Sequence, residues 1–99
     1  MPVNAAPTEY QAVRHILSAP SIHARTNAHV RADDFDWAGL SCEAQSMSGG
    51  ERLLVDIARD LWHAEKNVAV WQVGRSLGPT NFRRVVDALN LYRGEAEVA

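Results

Sequence analysis

The stretch SMSGGERLLVDIARDLWH (residues 46–63) decides the fold class of this chain. Its apolar side chains recur at i, i+1, i+4, i+5, i+8 and i+9, a spacing that collects them on one wide face of a helix. A face of this width has to be buried, so the helix predicted from about residue 51 to residue 63 or 64 must pack against other elements. The side chains on that face are Leu53, Leu54, Ile57, Ala58, Leu61 and Trp62.

Ser48 and Glu51 have the spacing of a capping box at the start of this helix. The Ser48 side chain can accept a hydrogen bond from the Glu51 amide, and the Glu51 carboxylate can reach back to the Ser48 amide. The pair therefore predicts where the helix begins without any ligand.

The same letters, Ser48-Gly49-Gly50-Glu51-Arg52 followed by VDIARDL, resemble the signature motif of ABC-type ATPases over a small part of the chain. In that family the glycine turn opens a helix whose amides contact a nucleotide phosphate, opposite a loop of the form GxxxxGK[ST]. This chain contains no such loop. The resemblance therefore transfers no ATPase activity, and the capping box accounts for the motif.

Two helices are predicted before this stretch. The first covers residues 8–17, with a capping box between Thr8 and Gln11. The second covers residues 35–45, with Asp33 or Asp34 as its N-cap, although Gly39 inside it costs about 1 kcal/mol relative to alanine. Residues 19–33 show no clear period and are predicted to form a connecting loop.

After the long helix, the run VAVWQVGRSLG is predicted to form a short helix, with a small strand as the alternative. Pro79 then fits the first turn of a last helix that extends to Tyr92 and stops at Gly94. We expect a single all-α domain over residues 1–99, a small bundle of four to five helices with flexible ends at residues 1–7 and 95–99. The last helix is expected to turn one stripe to the core: Phe82, Val85, Val86, Leu89 and Tyr92.

Composition limits the possible functions. The formal charge is −2, which is too balanced for a general nucleic-acid binder. Cys42 is the single cysteine, so no intramolecular disulfide is possible, and the histidines lack the spacing of a metal site. No secretory or membrane-spanning pattern occurs. The sequence therefore predicts a cytoplasmic protein that is not an enzyme, uses no cofactor or metal and binds no membrane.

Residues 71–94 resemble a helix-turn-helix, with glycines at residues 74 and 78 and an amphipathic second helix. That resemblance implies a DNA-binding regulator whose second helix, from about residue 79 to 93, enters the major groove. Its outward polar side chains would contact phosphates and base edges. The candidates are Asn81, Arg83, Arg84 and Asn90. Two tightly joined helices of an ordinary bundle have the same pattern.

Three tryptophans are many for a chain of 99 residues, and aromatic rings anchor both cores and partner surfaces. Trp71 and Trp37 are the candidate interface residues. The order SGGERLLVDIARDLW, VWQVGRSL and NFRRVVDALNLYRG is also similar to small uncharacterised helical proteins of actinobacteria and their phages. We expect a protein-interaction module that uses a patch near Trp71 or the first two helices and can form a homodimer, and the resemblance implies a phage-encoded modulator of a host protein. The helix-turn-helix regulator is the alternative.

Overall fold

The computed structural model describes residues 7–94, and within this range the chain is helical with no strand. The all-α prediction is confirmed, although the helices outnumber the expected four to five because two short ones lie between residues 19 and 33. The predicted flexible ends lie outside the described residues, except Pro7. The elements are α1 (Thr8–Leu17), α2 (His23–Thr26), a 3-10 helix (Asn27–His29), α3 (Trp37–Ala44), α4 (Gly49–His63), α5 (Val70–Ser76) and α6 (Pro79–Tyr92).

Helix α1 lies at the centre of the molecule and packs against α4 on one side and α6 on another. Its sequence supports this position, because Tyr10, Ala12, Val13, Ile16 and Leu17 form one wide apolar face that is buried. Helix α3 packs against α4, and a single apolar cluster joins these elements. The fully buried large side chains of that cluster are Val13, Ile16, Leu17, Ile22, Leu40, Leu54 and Val85.

The start of α4 confirms the capping box. The Glu51 amide donates to Ser48 Oγ over 3.3 Å, and the Ser48 amide donates to Glu51 Oε1 over 3.1 Å. The helix begins at Gly49, two residues earlier than predicted, because both glycines belong to its first turn. Ala64 ends the helix with a left-handed φ of 55°. The Ser-Gly-Gly motif therefore works as a helix start.

Two predicted N-caps are wrong. Helix α1 is preceded by Pro7, whose carbonyl accepts from the Gln11 amide over 3.0 Å, and no side chain caps it. Helix α3 begins at Trp37 and is capped by Asp36, which accepts from the Gly39 amide over 3.1 Å. The helix starts later than predicted because Phe35 turns into the core before the first helical residue.

The segment between α1 and α3 is more regular than the predicted loop. It contains α2 and the 3-10 helix, and Thr26, the last residue of α2, is fully buried. A buried hydroxyl needs a partner, and Thr26 Oγ1 donates to the Leu17 carbonyl over 2.6 Å at the end of α1. This bond fastens the segment to the core.

The core-facing stripe predicted for α6 is wrong in most of its members. Val85 and Ala88 are buried, and α6 packs against α1, whereas the side of α6 that carries Phe82, Val86 and Leu89 is exposed. The run before α6 forms the helix α5 rather than a strand.

Candidate interaction surface

The exposed large apolar side chains of residues 7–94 all lie on the last two helices. Val70 is 88% exposed and Trp71 64%, and the four on α6 are between 37% and 45% exposed. We call the surface that they form the α5–α6 face. Its members are Val70, Trp71, Phe82, Val86, Leu89 and Tyr92.

A stripe on α6 and a groove connect part of this face. Phe82, Val86 and Leu89 follow the i, i+4, i+7 spacing and therefore lie along one side of α6. Leu89 and Val70 line the same apolar groove, which joins the α6 stripe to α5. A contiguous apolar surface of this kind is typical of a binding site.

The groove between α5 and α6 has a volume of about 310 Å³. Its floor is provided by Ile57 and Leu61 of α4 and by Val85, and its rims by Val70 and Leu89. Asp60 also lines it, but both carboxylate oxygens of Asp60 are occupied: they accept from the Asn67 amide over 3.0 Å and the Val68 amide over 2.7 Å. The groove therefore offers apolar contacts.

The sequence of α6 indicates this surface, although its apolar residues were predicted to form one stripe that faces the core. Helix α6 has two apolar stripes, one at Val85 and Ala88 and another at Phe82, Val86 and Leu89. Together they span a wider arc than one neighbouring helix can cover. Since α1 packs against the first stripe, the second stripe remains exposed to solvent.

The two candidate interface tryptophans lie in different environments. Trp71 belongs to the α5–α6 face, whereas Trp37 is half-buried in an aromatic cluster. The Trp37 ring centroid lies 5.5 Å from that of Phe35 and 5.5 Å from that of His63. The structure therefore does not bring Trp37 to the surface that carries Trp71.

The candidate DNA-binding residues do not form one surface either. Arg83 and Asn90 are exposed and Asn81 is half-buried. The prediction that Arg84 faces outward is wrong: its Nη1 donates to the His15 carbonyl over 3.0 Å and to Ser18 Oγ over 3.1 Å. A cation at the C-terminal end of α1 is favourable because the last carbonyls carry partial negative charge.

A polar cluster that was not predicted from the sequence joins the 3-10 helix to α3. His29 Nδ1 lies 3.1 Å from Asp36 Oδ2, and His29 Nε2 lies 3.4 Å from Glu43 Oε2. The Gly39 amide and then His29 lower the pKa of Asp36 by hydrogen bonding. Hydrogen bonds from His29 and then Arg25 lower the pKa of Glu43. The cluster ties the connecting segment to α3.

This cluster predicts a stability change in acid. Folding lowers the pKa of each of these carboxyls, and the unfolded-state pKa is about 4. The resulting stabilisation is fully present at pH values above the unfolded-state pKa. It is lost as the pH falls through the pKa of the folded state. Asp36→Asn combined with Glu43→Gln should therefore reduce the loss of unfolding free energy between about pH 5 and pH 2.5. Urea unfolding at a series of pH values measures this. An unchanged pH profile in the double variant would contradict the role of the cluster.

Over residues 7–94, no group of three or more His, Cys, Asp or Glu side chains could hold a metal ion. In the same part of the chain, no helix combines the length and apolarity needed to cross a membrane.

Comparisons of the chain with protein-family models, with curated proteins and with solved structures found no match. The functional argument therefore rests on the surface itself.

Proposed function

We propose that this chain is a non-enzymatic interaction module that binds another protein through the α5–α6 face. The observation that carries the proposal is the collection of every exposed large apolar side chain of residues 7–94 on two consecutive helices. Leaving such a surface in water costs free energy that a partner would recover by covering it. The lone Cys42 suits a reducing compartment, and we propose that the partner is met in the cytoplasm.

Trp71 is the expected anchor of the interface. Truncating a tryptophan at the centre of an interface removes much of the binding free energy, so Trp71→Ala should weaken partner binding at least about tenfold. Val86→Asp should abolish binding, because it places a charge in the apolar contact. Affinity capture from cells that express the protein, followed by quantification of each captured protein, measures both effects.

Gln45→Ala is the matched control because Gln45 is exposed and lies at the end of α3, away from the α5–α6 face. It should capture the same proteins as the wild type. Circular dichroism should show equal helicity for all variants. Equal capture by Trp71→Ala, Val86→Asp and the wild type would refute this surface as the interface.

The alternative, a helix-turn-helix DNA-binding regulator, has less support. It would depend on Arg83 and Asn90, since Arg84 is engaged with α1. The apolar stripe of Phe82, Val86 and Leu89 would then have to face a polar groove or remain uncovered. Binding to duplex DNA that weakens as salt rises and on Arg83→Ala would favour this alternative.

A further inference from the structure

We propose that α5 is a flap that opens by local unfolding while α1, α4 and α6 stay packed. The proposal concerns the free protein and does not depend on the proposed function. Three features of α5 support it: it contributes no buried side chain, it lacks polar bonds to other helices, and both of its ends are anchored.

Helix α5 contributes no buried side chain to the core. None of its seven residues is buried, whereas α1 and α4 bury five residues each. Among the apolar side chains of α5, only Val73 is half-buried, and it packs against the core. Burial of apolar surface is the main free energy that holds a helix on a domain. Helix α5 therefore loses little of this free energy by leaving.

Polar bonds do not tie α5 to the other helices. Among the described residues 7–94, the hydrogen bonds of residues 69–77 stay within that segment, and Arg75 forms no ion pair. The Gln72 amide donates to the Ala69 carbonyl over 3.0 Å, and the Ala69 amide donates to Gln72 Oε1 over 2.8 Å. Opening of α5 therefore breaks no hydrogen bond to α1, α4 or α6.

Helix α5 is too short to persist by itself. Isolated helices shorter than about 12–15 residues are marginal in water, because the first turn is costly to form. Gly74 lowers the helix propensity further than alanine would at this position. The helix therefore melts when it leaves α4 and α6, so the opening is a local unfolding of the segment.

Both ends of α5 are anchored, which keeps the opening local. Before α5, Asp60 of α4 accepts hydrogen bonds from the amides of Asn67 and Val68 over 3.0 and 2.7 Å. After α5, Leu77 is buried. Residues 69–76 can therefore become a short loop between two fixed points, and the rest of the domain does not have to move.

The opening changes the candidate interaction surface. Val70 and Val73 of α5 line the groove of about 310 Å³ together with Ile57 of α4 and Val85 of α6. Ile57 is 5% exposed and Val85 1%, and the loss of α5 would expose both to water. Trp71 would leave with α5, so the α5–α6 face is complete only while the flap is closed.

Native-state amide hydrogen exchange of the full chain, followed by NMR, tests the proposal. We expect the protection factors of the α5 amides to be at least about 100-fold lower than those at the centre of α4. Exchange in α5 should stay nearly constant up to about 1 M urea, because local opening exposes little surface. Exchange at the centre of α4 should rise steeply with urea, because it requires global unfolding.

The amides of Val86 and Leu89 are the matched control for exposure. Their side chains are 37% and 45% exposed, but the buried Val85 and Ala88 hold this part of α6 on the domain. These amides should therefore follow α4 and not α5. Protection as low as that of α5 would show that surface exposure, and not opening of a flap, explains the exchange.

Leu54→Ala separates local opening from global unfolding. Leu54 is fully buried and should remain packed when α5 opens. The variant should lower the protection factors of α4 on the order of 100-fold and those of α5 by no more than about twofold. The urea series on the wild type needs no variant, so it decides the question even if Leu54→Ala does not fold.

Three results would overturn the proposal. The first is equal protection and equal urea dependence of α5 and α4, since α5 would then unfold only with the whole domain. The second is a loss of protection in α5 as large as that in α4 in the Leu54→Ala variant. The third is no protection of α5 at all, because the closed flap would then not form.

Discussion

Leu54→Ala should lower the free energy of unfolding by about 3 kcal/mol. Leu54 is completely buried in the middle of α4, so its truncation removes apolar contacts and leaves a cavity that the packed helices cannot fill. The midpoint of thermal unfolding should fall by about 4–8 °C for each kcal/mol in a domain of this size. Urea unfolding followed by circular dichroism measures the change directly.

Leu89→Ala is the matched control for this substitution, since the same atoms are removed from a side chain that is 45% exposed. It should cost less than about 1 kcal/mol, because much of that side chain already contacts water in the isolated protein. A cost for Leu89→Ala as large as that for Leu54→Ala would show that this side of α6 is buried. Such a result would contradict the assignment of the α5–α6 face.

Gly39→Ala should destabilise the protein by about 2 kcal/mol, although alanine is the better helix former by about 1 kcal/mol. A Cβ at Gly39 would overlap His29 Nδ1 and Asp36 Oδ2. The His29 ring would have to leave the two carboxylates between which it lies, and the cap of α3 would be disturbed as well. The unfolding free energy of the variant in urea checks the sign.

Gly74→Ala is the control for the helix propensity alone. Gly74 lies within α5 with open space around its Cβ position, so this substitution should stabilise the protein by up to about 1 kcal/mol. The cost of Gly39→Ala should also be smaller when His29 is already alanine, because one of the overlapping side chains is then gone. Stabilisation by Gly39→Ala would refute the close packing of His29 on α3.

The helices that sequence reasoning predicted best are those whose local signals agree with their packing. Helix α4 combines a capping box with a wide apolar face, and α6 begins with a proline in its first turn. Local patterns of this kind suffice to predict the all-α fold. They also suffice to assign the Ser-Gly-Gly motif to a helix start.

The α5–α6 face could not be predicted as a surface, because periodicity shows that a stripe is apolar and does not show which neighbour covers it. Helix α1 packs on Val85 and Ala88, and this tertiary choice leaves Phe82, Val86 and Leu89 exposed. Trp71 is exposed, as its place in a short helix after a turn suggested, and its role as an interface residue stays a prediction.

The cluster around His29 was missed for a different reason. Asp36 follows His29 by seven residues and Glu43 follows Asp36 by seven, and the three side chains meet because residues 30–35 form a turn that brings Asp36 back to His29. The Asp36 amide donates to the His29 carbonyl over 2.9 Å across this turn, which has no apolar period. Patterns of spacing cannot reveal contacts of this kind.

Site-specific photo-crosslinking in cells that express the protein tests the central claim, that the α5–α6 face binds a protein partner. A photoreactive phenylalanine analogue would replace Trp71 in one variant and Gln45 in a second. We expect a covalent adduct with one other protein from position 71 and none from position 45. Absence of any protein adduct at position 71, or the same adducts at both positions, would contradict the account.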